Sequence, residues 1–233
     1  MKNGQAWLAG GLMLVAALLF YRMYLKSTEE TTAALDSRQQ ALQELGEYLN
    51  QQQLGSCTVV LSNPFTQKSG QPSEIHKFER AGIRGLEQGL GESAAVEIVF
   101  PTVKPEYRDN PQKAIIPRNS KTPLSFLIEP GSLDELAEAH PDCNLMVSLI
   151  GLPLGVDKLK VWDKQSPMQF ALLLPDLRMV GSMNNVVSAF KSGKIAAAVV
   201  TDKQANAPLL ITPENIKEIL TDRPNLVGFP KKR

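Results

Sequence analysis

Polar side chains stand where the predicted strands end, and these are the residues best placed to bind a ligand. They are Ser62, Asn63, Thr102, Glu129, Asp176, Thr201 and Asp202. Ligands of open α/β sheets bind outside the carboxyl ends of the strands. The same residue types are common in turns and helix caps, so a purely structural role is the alternative for each. The sequence therefore predicts a small polar binding site, with no metal ligand set and no cofactor.

The sequence lacks catalytic signatures. Its two histidines, His76 and His140, are far apart, and it contains no nucleophile elbow, zinc-protease motif or calcium-binding loop. The pair Gly89-x-Gly91 follows a predicted helix rather than a strand, which excludes a dinucleotide-binding fingerprint. Non-catalytic binding is the function that we predict, and an enzyme acting at the strand ends remains an alternative.

An apolar segment near the N terminus predicts membrane attachment. No charged residue lies between Lys2 and Arg22, and a run of about 20 apolar residues can cross a bilayer as a helix. Bulky residues follow the run in place of the small residues of a signal-peptidase site, so a retained anchor over residues 1–26 is favoured over a cleaved signal. The flanking charges nearly balance, and the short N terminus favours a single-pass cell-membrane protein with an extracytoplasmic, periplasmic domain.

Residues 27–55 are predicted to form a helical stalk beyond the membrane. Leu35, Leu42 and Leu49 recur every seven residues, and no proline interrupts the segment. Two imperfect heptads are fewer than a coiled coil requires. The segment is interpreted as a spacer helix, and a weak homodimer through a short coiled coil, or another protein partner, is the alternative.

Residues 56–233 are predicted to fold as one α/β domain with a doubly wound, mostly parallel sheet. Apolar runs alternate with amphipathic segments, as expected where helices cover both faces of a sheet. The predicted strands are Cys57–Ser62, Ala95–Phe100, Leu124–Ile128, Leu145–Ile150, Phe170–Leu174 and Ile195–Thr201. The predicted helices include Ser73–Leu90, a helix from Ser132, Met179–Ser192 and Pro213–Leu220.

The two cysteines, Cys57 and Cys143, lie at the starts of predicted strands. They lack the paired spacing of metal-binding cysteines. A further strand is expected between them in the sheet, which would place them roughly 9.6 Å apart. Because that distance exceeds the reach of a disulfide, we expect two buried thiols.

The stretch 101–123 contains five prolines and five basic residues where a helix is expected. The prolines predict an irregular loop, either solvated or in contact with an acidic protein partner. Over the whole chain, 25 basic residues balance 24 acidic ones. This balance gives no support to nucleic-acid binding, and no nucleic-acid partner is predicted.

Parts of the sequence resemble one lobe of the type 1 periplasmic-binding proteins. The run Val60–Phe65, the helical motif Gly82-x-x-Gly85-Leu86-Glu87 and the run Val96–Pro101 are similar to the opening of such a lobe. The run Val187–Ile195 is similar to a later helix-to-strand join. The resemblance implies a ligand bound between two lobes. Since this chain has room for one lobe, the cleft would be absent or completed by a partner.

These observations lead to one principal hypothesis and two alternatives. The principal one is a membrane-anchored, non-catalytic domain that binds a small ligand or a protein. The first alternative is a structural subunit of a membrane protein assembly, with the stalk and the 101–123 loop as contact surfaces. The second is an enzyme with its site at the strand carboxyl ends.

Overall fold

The described part of the chain comprises residues 29–67, 70, 73–202, 205 and 207–230 of a computed structural model. The anchor predicted over residues 1–26 lies outside this part. None of the described helices is long and apolar enough to cross a bilayer. The chain divides into two compact units, Met1–Asp36 and Ser37–Arg233. Residues 29–36 of the first unit are helical, and the second unit carries the sheet.

A six-stranded sheet forms the centre of the second unit, in the order β2-β1-β3-β4-β5-β6. Strands β1 to β5 are parallel, and β6 runs antiparallel to β5 at one edge. The strands are β1 (Cys57–Leu61), β2 (Ala95–Val99), β3 (Leu145–Ser148), β4 (Gln169–Leu173), β5 (Ile195–Asp202) and β6 (Ala207–Ile211). The predicted α/β class and the mostly parallel sheet are confirmed.

Helices cover both faces of the sheet. The covering helices are α1 (residues 37–51), α2 (Ser73–Leu90), α4 (Ser132–Ala139), α5 (Met183–Lys191) and α6 (Ile216–Asp222), whereas the short α3 (Pro105–Arg108) has no buried residue. Successive side chains of a strand point to opposite faces, so Val60 packs with α1 and α2, whereas Val59 packs in the cluster that includes α4, α5 and α6. This arrangement explains why the inner strands β1, β3, β4 and β5 are mostly apolar along their whole length rather than alternating.

Helix α1 is part of the core of the domain. Leu42, Leu45 and Leu49 have no exposed surface and pack in the cluster on the α2 face of the sheet. For residues 37–51 the structure therefore differs from the predicted stalk. The physical reason is that a core-facing helical stripe and a coiled-coil seam have nearly the same leucine spacing.

Glycines allow α1 and α2 to touch through their backbones. A Cβ atom at Gly85 would lie 2.1 Å from the carbonyl oxygen of Gln39, and one at Gly89 would lie 2.2 Å from that of Gln43. Any larger residue at either position would push the two helices apart. The small residues of α2 therefore define the seam along which α1 packs.

The segment Leu124–Ile128, predicted as a strand, contains a 3-10 turn instead. The turn spans Pro123–Phe126, and Ile128 makes only an isolated bridge with Val103. Pro123 has no backbone N–H for a strand ladder, and the Ser125 hydroxyl donates to the carbonyl of Thr122 at 2.6 Å, which stabilises the turn. The prediction of a strand here was wrong, and β1 and β3 lie side by side as a result.

Candidate functional site

A small cavity lies at the carboxyl ends of β3 and β4. Its volume is about 150 Å³, and its apolar walls include Leu149, Ile150 and Leu173. Two cationic residues also line it, Arg38 from α1 and Lys121 from the 101–123 loop. Carboxyl ends of parallel strands are where open α/β sheets bind ligands. This position and the two cations make the cavity our candidate binding site.

Arg38 carries a buried positive charge beside the cavity. Its side chain is 17% exposed, and its Nη2 donates to Oε1 of Glu79 at 3.3 Å. Its Nε is buried and has no acceptor among the described residues. Burial lowers the pKa of Arg38, and the charge of Glu79 partly opposes that effect. Because a guanidinium keeps its proton in proteins, Arg38 remains a cation with unused donor capacity.

Ser62 and Glu79 hold Arg38 in position. The buried Ser62 hydroxyl, just beyond β1, donates to Oε2 of Glu79 at 2.8 Å. Glu79 therefore joins the end of β1 to α1 through one carboxylate. The structure places the predicted site residue Ser62 behind Arg38, where it orients the charged pair.

The opposite wall of the cavity depends on tight turns. A Cβ atom at Gly151, whose φ is +85°, would lie 2.5 Å from Cγ2 of Thr122, so this position requires glycine. The Ser148 hydroxyl donates to the carbonyl of Gly151 at 2.7 Å. Leu174 lines the cavity with a φ of +46° and is 38% exposed. A left-handed leucine is rare, and such backbone outliers cluster at ligand sites.

Asp176 fixes the 101–123 loop beside the cavity. Its carboxylate is fully buried and accepts hydrogen bonds from Nε of Arg178 at 2.8 Å and from the backbone N–H of Lys121 at 3.4 Å. Arg178 in turn donates to the carbonyl of Asn119 at 3.2 Å. The hydrogen bonds with Asp176 raise the pKa of Arg178, against the opposing effect of burial. Asp176 therefore positions the loop that carries Lys121.

The other predicted site residues do not converge on this cavity. Oδ1 of Asn63 accepts from the backbone N–H of Phe65 at 3.0 Å in a turn, and Asp202 pairs with Arg223. The carbonyl of Thr102 accepts from the N–H of Glu129 at 2.8 Å, and both side chains are exposed. Thr201 is half-buried within β5. Ligand roles for these residues remain predictions.

Arg38 and Lys121 were missed as site residues by reasoning from the sequence. Arg38 precedes the first strand on a segment interpreted as a stalk, and Lys121 lies 20 residues beyond Pro101 in an irregular loop. Only the docking of α1 and the anchoring of the loop by Asp176 bring them to one cavity. The feature of the sequence that could have indicated the docking of α1 is the row of glycines on α2, including Gly85 and Gly89, which is typical of a closely packed partner helix.

A larger cavity of about 590 Å³ lies at the amino ends of β4 and β5. It is lined by Trp162, Gln169 and Lys194, among others. The buried Lys194 ammonium donates to the carbonyls of Val161, Ser166 and Met168 at 3.0–3.2 Å. Burial lowers the pKa of Lys194, and Asp163 opposes this effect. With its three hydrogen bonds made within the protein, Lys194 is a structural clamp rather than a ligand-binding group.

Cys57 and Cys143 form a disulfide, with their Cα atoms 4.7 Å apart. The expectation of two thiols was wrong because β1 pairs directly with β3 and no strand separates them. The bond crosslinks residues 86 positions apart in sequence. Disulfides persist mainly in oxidising compartments.

Comparisons with known proteins show little similarity. No protein-family model matches the chain, and no curated protein matches it in sequence. One solved structure, an ABC transporter solute-binding protein from Bradyrhizobium sp. BTAi1 with bound Bis-Tris, aligns at 10% identity and a TM-score of 0.41. The alignment covers 87% of this chain and 56% of that one, so this chain spans little more than half its length.

Proposed function

We propose that this chain is a membrane-anchored, non-catalytic binding domain that takes a small anion in the cavity beside Arg38. The observation that carries the proposal is the buried guanidinium at the cavity, with one N–H lacking an acceptor among the described residues. Burying a donor without a partner costs about 1–3 kcal/mol. The guanidinium lines the cavity, so an anion bound there would offset the cost of burying its charge.

The size and chemistry of the cavity define the class of anion. A volume of about 150 Å³ is below the roughly 300–1,000 Å³ of sites for drug-sized ligands, so it favours a small molecule. The apolar walls formed by Leu149, Ile150 and Leu173 suit a short hydrocarbon group. The ligand class is therefore a short-chain carboxylate whose head group meets Arg38 and whose chain lies against the leucines.

Calorimetric titration of the full-length protein in detergent tests this proposal. The probes are acetate, butyrate, hexanoate and inorganic phosphate, and butyrate is expected to bind most tightly. Charge-assisted hydrogen bonds contribute about 1.5–3 kcal/mol, so Arg38→Gln should weaken binding about tenfold to a hundredfold. The control is Lys113→Gln, which removes one exposed charge from the 101–123 loop without touching the cavity.

The double variant Arg38→Gln/Glu79→Gln distinguishes a loss of anion binding from a loss of folding, since Arg38→Gln alone leaves the Glu79 charge unpaired. It removes both charges of the buried pair while retaining amides that can form hydrogen bonds, and it should stay folded and still lose the anion. Equal affinity in wild-type and double-variant proteins would overturn the proposal. So would the absence of binding by all four probes to a folded wild-type chain.

Membrane attachment and an extracytoplasmic position are also part of this proposal. They are supported by the uncharged apolar run between Lys2 and Arg22 and by the disulfide between Cys57 and Cys143. Alkaline carbonate should leave the protein in the membrane pellet, and external protease should degrade the domain in intact spheroplasts. Release by carbonate, or protection from protease until the membrane is lysed, would contradict the topology.

A second candidate function is that of a contact subunit in a membrane assembly. Ile115 is 93% exposed in the 101–123 loop and lies between Lys113 and Arg118 in sequence. An exposed apolar side chain near basic residues fits a partner with an apolar and acidic surface. A photocrosslinker at Ile115 should capture one discrete protein in native membranes, whereas the same probe at Leu154, 59% exposed, should not. Equal labelling at both positions would exclude this function.

A further inference from the structure

Three side chains with metal-binding chemistry meet near the amino ends of β1 and β3, at the end of the sheet opposite the anion cavity. Cys57 begins β1, Cys143 lies two residues before β3, and Glu97 lies on the neighbouring strand β2. The two Sγ atoms and a carboxylate oxygen of Glu97 all lie within 4.8 Å of one another. The three residues are distant in sequence, so only the strand order β2-β1-β3 assembles them.

His140 extends this cluster. It follows α4, and its Nδ1 lies 2.8 Å from Oε2 of Glu97. Carboxylates that bind metals are commonly held by such a second hydrogen bond, which fixes their orientation. The His140 side chain is 20% exposed and that of Glu97 is 51% exposed, so solvent and ions can reach the carboxylate while one of its oxygens is already fixed.

We propose that reduction of the Cys57–Cys143 disulfide turns this cluster into a binding site for one zinc-class divalent cation. The ligands are the two thiolates and the Glu97 carboxylate, with water in the fourth position and His140 as a positioning residue. This site is independent of the proposed anion function. It goes beyond the sequence prediction, which assigned no metal site.

The chemical balance of the switch requires a reductant, which we assign to the dithiol class. A dithiol transfers two electrons and two protons to the disulfide, breaks the S–S bond, and leaves as a cyclic or intramolecular disulfide. The cation then binds, and the Cys57 and Cys143 thiols each release one proton. Because the same two sulfur atoms serve both states, the disulfide and the metal complex exclude each other.

The geometry of the cluster fits tetrahedral zinc coordination. Zinc binds thiolate sulfur at about 2.3 Å and carboxylate oxygen at about 2.0–2.2 Å. Ligand atoms in a tetrahedron of that size are roughly 3.3–3.8 Å apart. The upper limit of 4.8 Å on the observed separations exceeds these values by about 1–1.5 Å. The two sulfur atoms, which are bonded in the disulfide, must instead move apart by roughly 1.7 Å after reduction. Side-chain rotation can supply movements of this size. Both the disulfide and the metal would join the start of β1 to the start of β3.

Cobalt titration of the full-length protein tests the proposal, because Co²⁺ replaces Zn²⁺ and is coloured. The protein is reduced with a phosphine, desalted without oxygen and titrated with Co²⁺ alone. We expect one equivalent to bind with a thiolate-to-cobalt charge-transfer band, and Zn²⁺ to bleach it. The oxidised protein should show no such band. Absence of the band in reduced protein that remains folded by circular dichroism would overturn the proposal.

Variants separate this site from adventitious binding by two free thiols. Glu97→Gln should weaken cobalt binding at least tenfold, whereas Glu92→Gln, which removes an exposed carboxylate from the turn before β2, should leave it unchanged. His140→Gln should weaken binding about tenfold, within the range for outer-shell partners, and keep the charge-transfer band. Wild-type affinity in Glu97→Gln would show that the thiols alone bind cobalt, which would refute the assembled site.

Discussion

Replacement of Gly85 by alanine tests whether α1 is part of the folded domain. The new Cβ would lie 2.1 Å from the carbonyl oxygen of Gln39, so α1 and α2 must separate by roughly 1 Å to restore van der Waals contact. A gap of this size removes a quarter to a half of the dispersion energy of each atomic contact between the helices. The affected side chains include the fully buried Leu42, Leu45 and Leu49, whose burial contributes about 1.5–3 kcal/mol each.

The expected net loss of unfolding free energy is about 1.5 kcal/mol. The lost contacts contribute roughly 1–4 kcal/mol, and the better helix propensity of alanine returns about 1 kcal/mol. Urea unfolding followed by circular dichroism measures the change. Gly131→Ala is the matched control, because its Cβ would meet nothing within 4 Å and its φ is −57°. Equal stability of the two variants would refute the packing of α1 and restore the stalk interpretation for residues 37–51.

Three further predictions concern the Lys194 clamp and the disulfide. Lys194→Met leaves three carbonyls without their donor, so it should lower the unfolding free energy by about 2–3 kcal/mol, whereas the exposed Lys191→Met should change it by less than about 0.5 kcal/mol. Burial lowers the pKa of Lys194, so the folded chain loses this proton at a lower pH than the unfolded chain does. The unfolding free energy of wild type, measured relative to that of Lys194→Met, should therefore rise as the pH approaches 10.5 from below. Urea titrations of both proteins at several alkaline pH values measure this difference. In the presence of a chelator, reduction of Cys57–Cys143 should cost about 2–4 kcal/mol, and Cys57→Ala/Cys143→Ala should not respond to the reductant.

The alternating pattern of the domain could be predicted from the sequence because the inner strands are largely apolar runs. β5 illustrates this, since seven of its eight residues are buried. The antiparallel strand β6 escaped prediction. The segment Ala207–Ile211 contains Pro208, and a proline within an apolar run argues against a central strand. Edge strands tolerate proline, and β6 pairs only with β5.

The error over Leu124–Ile128 led to the error over the cysteines. An apolar run after Pro123 has the composition of a strand, and only its turn geometry distinguishes it. Counting that run as a strand suggested that a strand lay between Cys57 and Cys143. The observed order has β1 beside β3, and the two cysteines meet. Sheet order depends on long-range pairing, which local patterns do not specify.

The candidate site could be predicted only in part, because its charges come from distant segments. Ser62 and Asp176 were predicted as site residues because they lie at strand ends. In the structure, Ser62 positions Arg38 through Glu79, and Asp176 positions the loop that carries Lys121. The cations themselves are Arg38 on a helix before the sheet and Lys121 in a loop. Neither position carries a local motif: the glycine seam of α2 indicates a partner helix without identifying Arg38, and Lys121 is one of five basic residues in its loop.

The packing of α1 and the binding of the anion should be coupled, since Arg38 belongs to that helix. Gly85 does not line the cavity, yet a shift of α1 by roughly 1 Å would move Arg38 from its place beside Ile150 and Leu174. Gly85→Ala should therefore weaken butyrate binding several-fold in the calorimeter, while Gly131→Ala leaves it unchanged. By reciprocity, butyrate at a hundred times its Kd should raise the unfolding free energy of wild type by about 2.7 kcal/mol and that of Gly85→Ala by less. Equal gains in both proteins would show that the ligand, wherever it binds, does not depend on the position of α1.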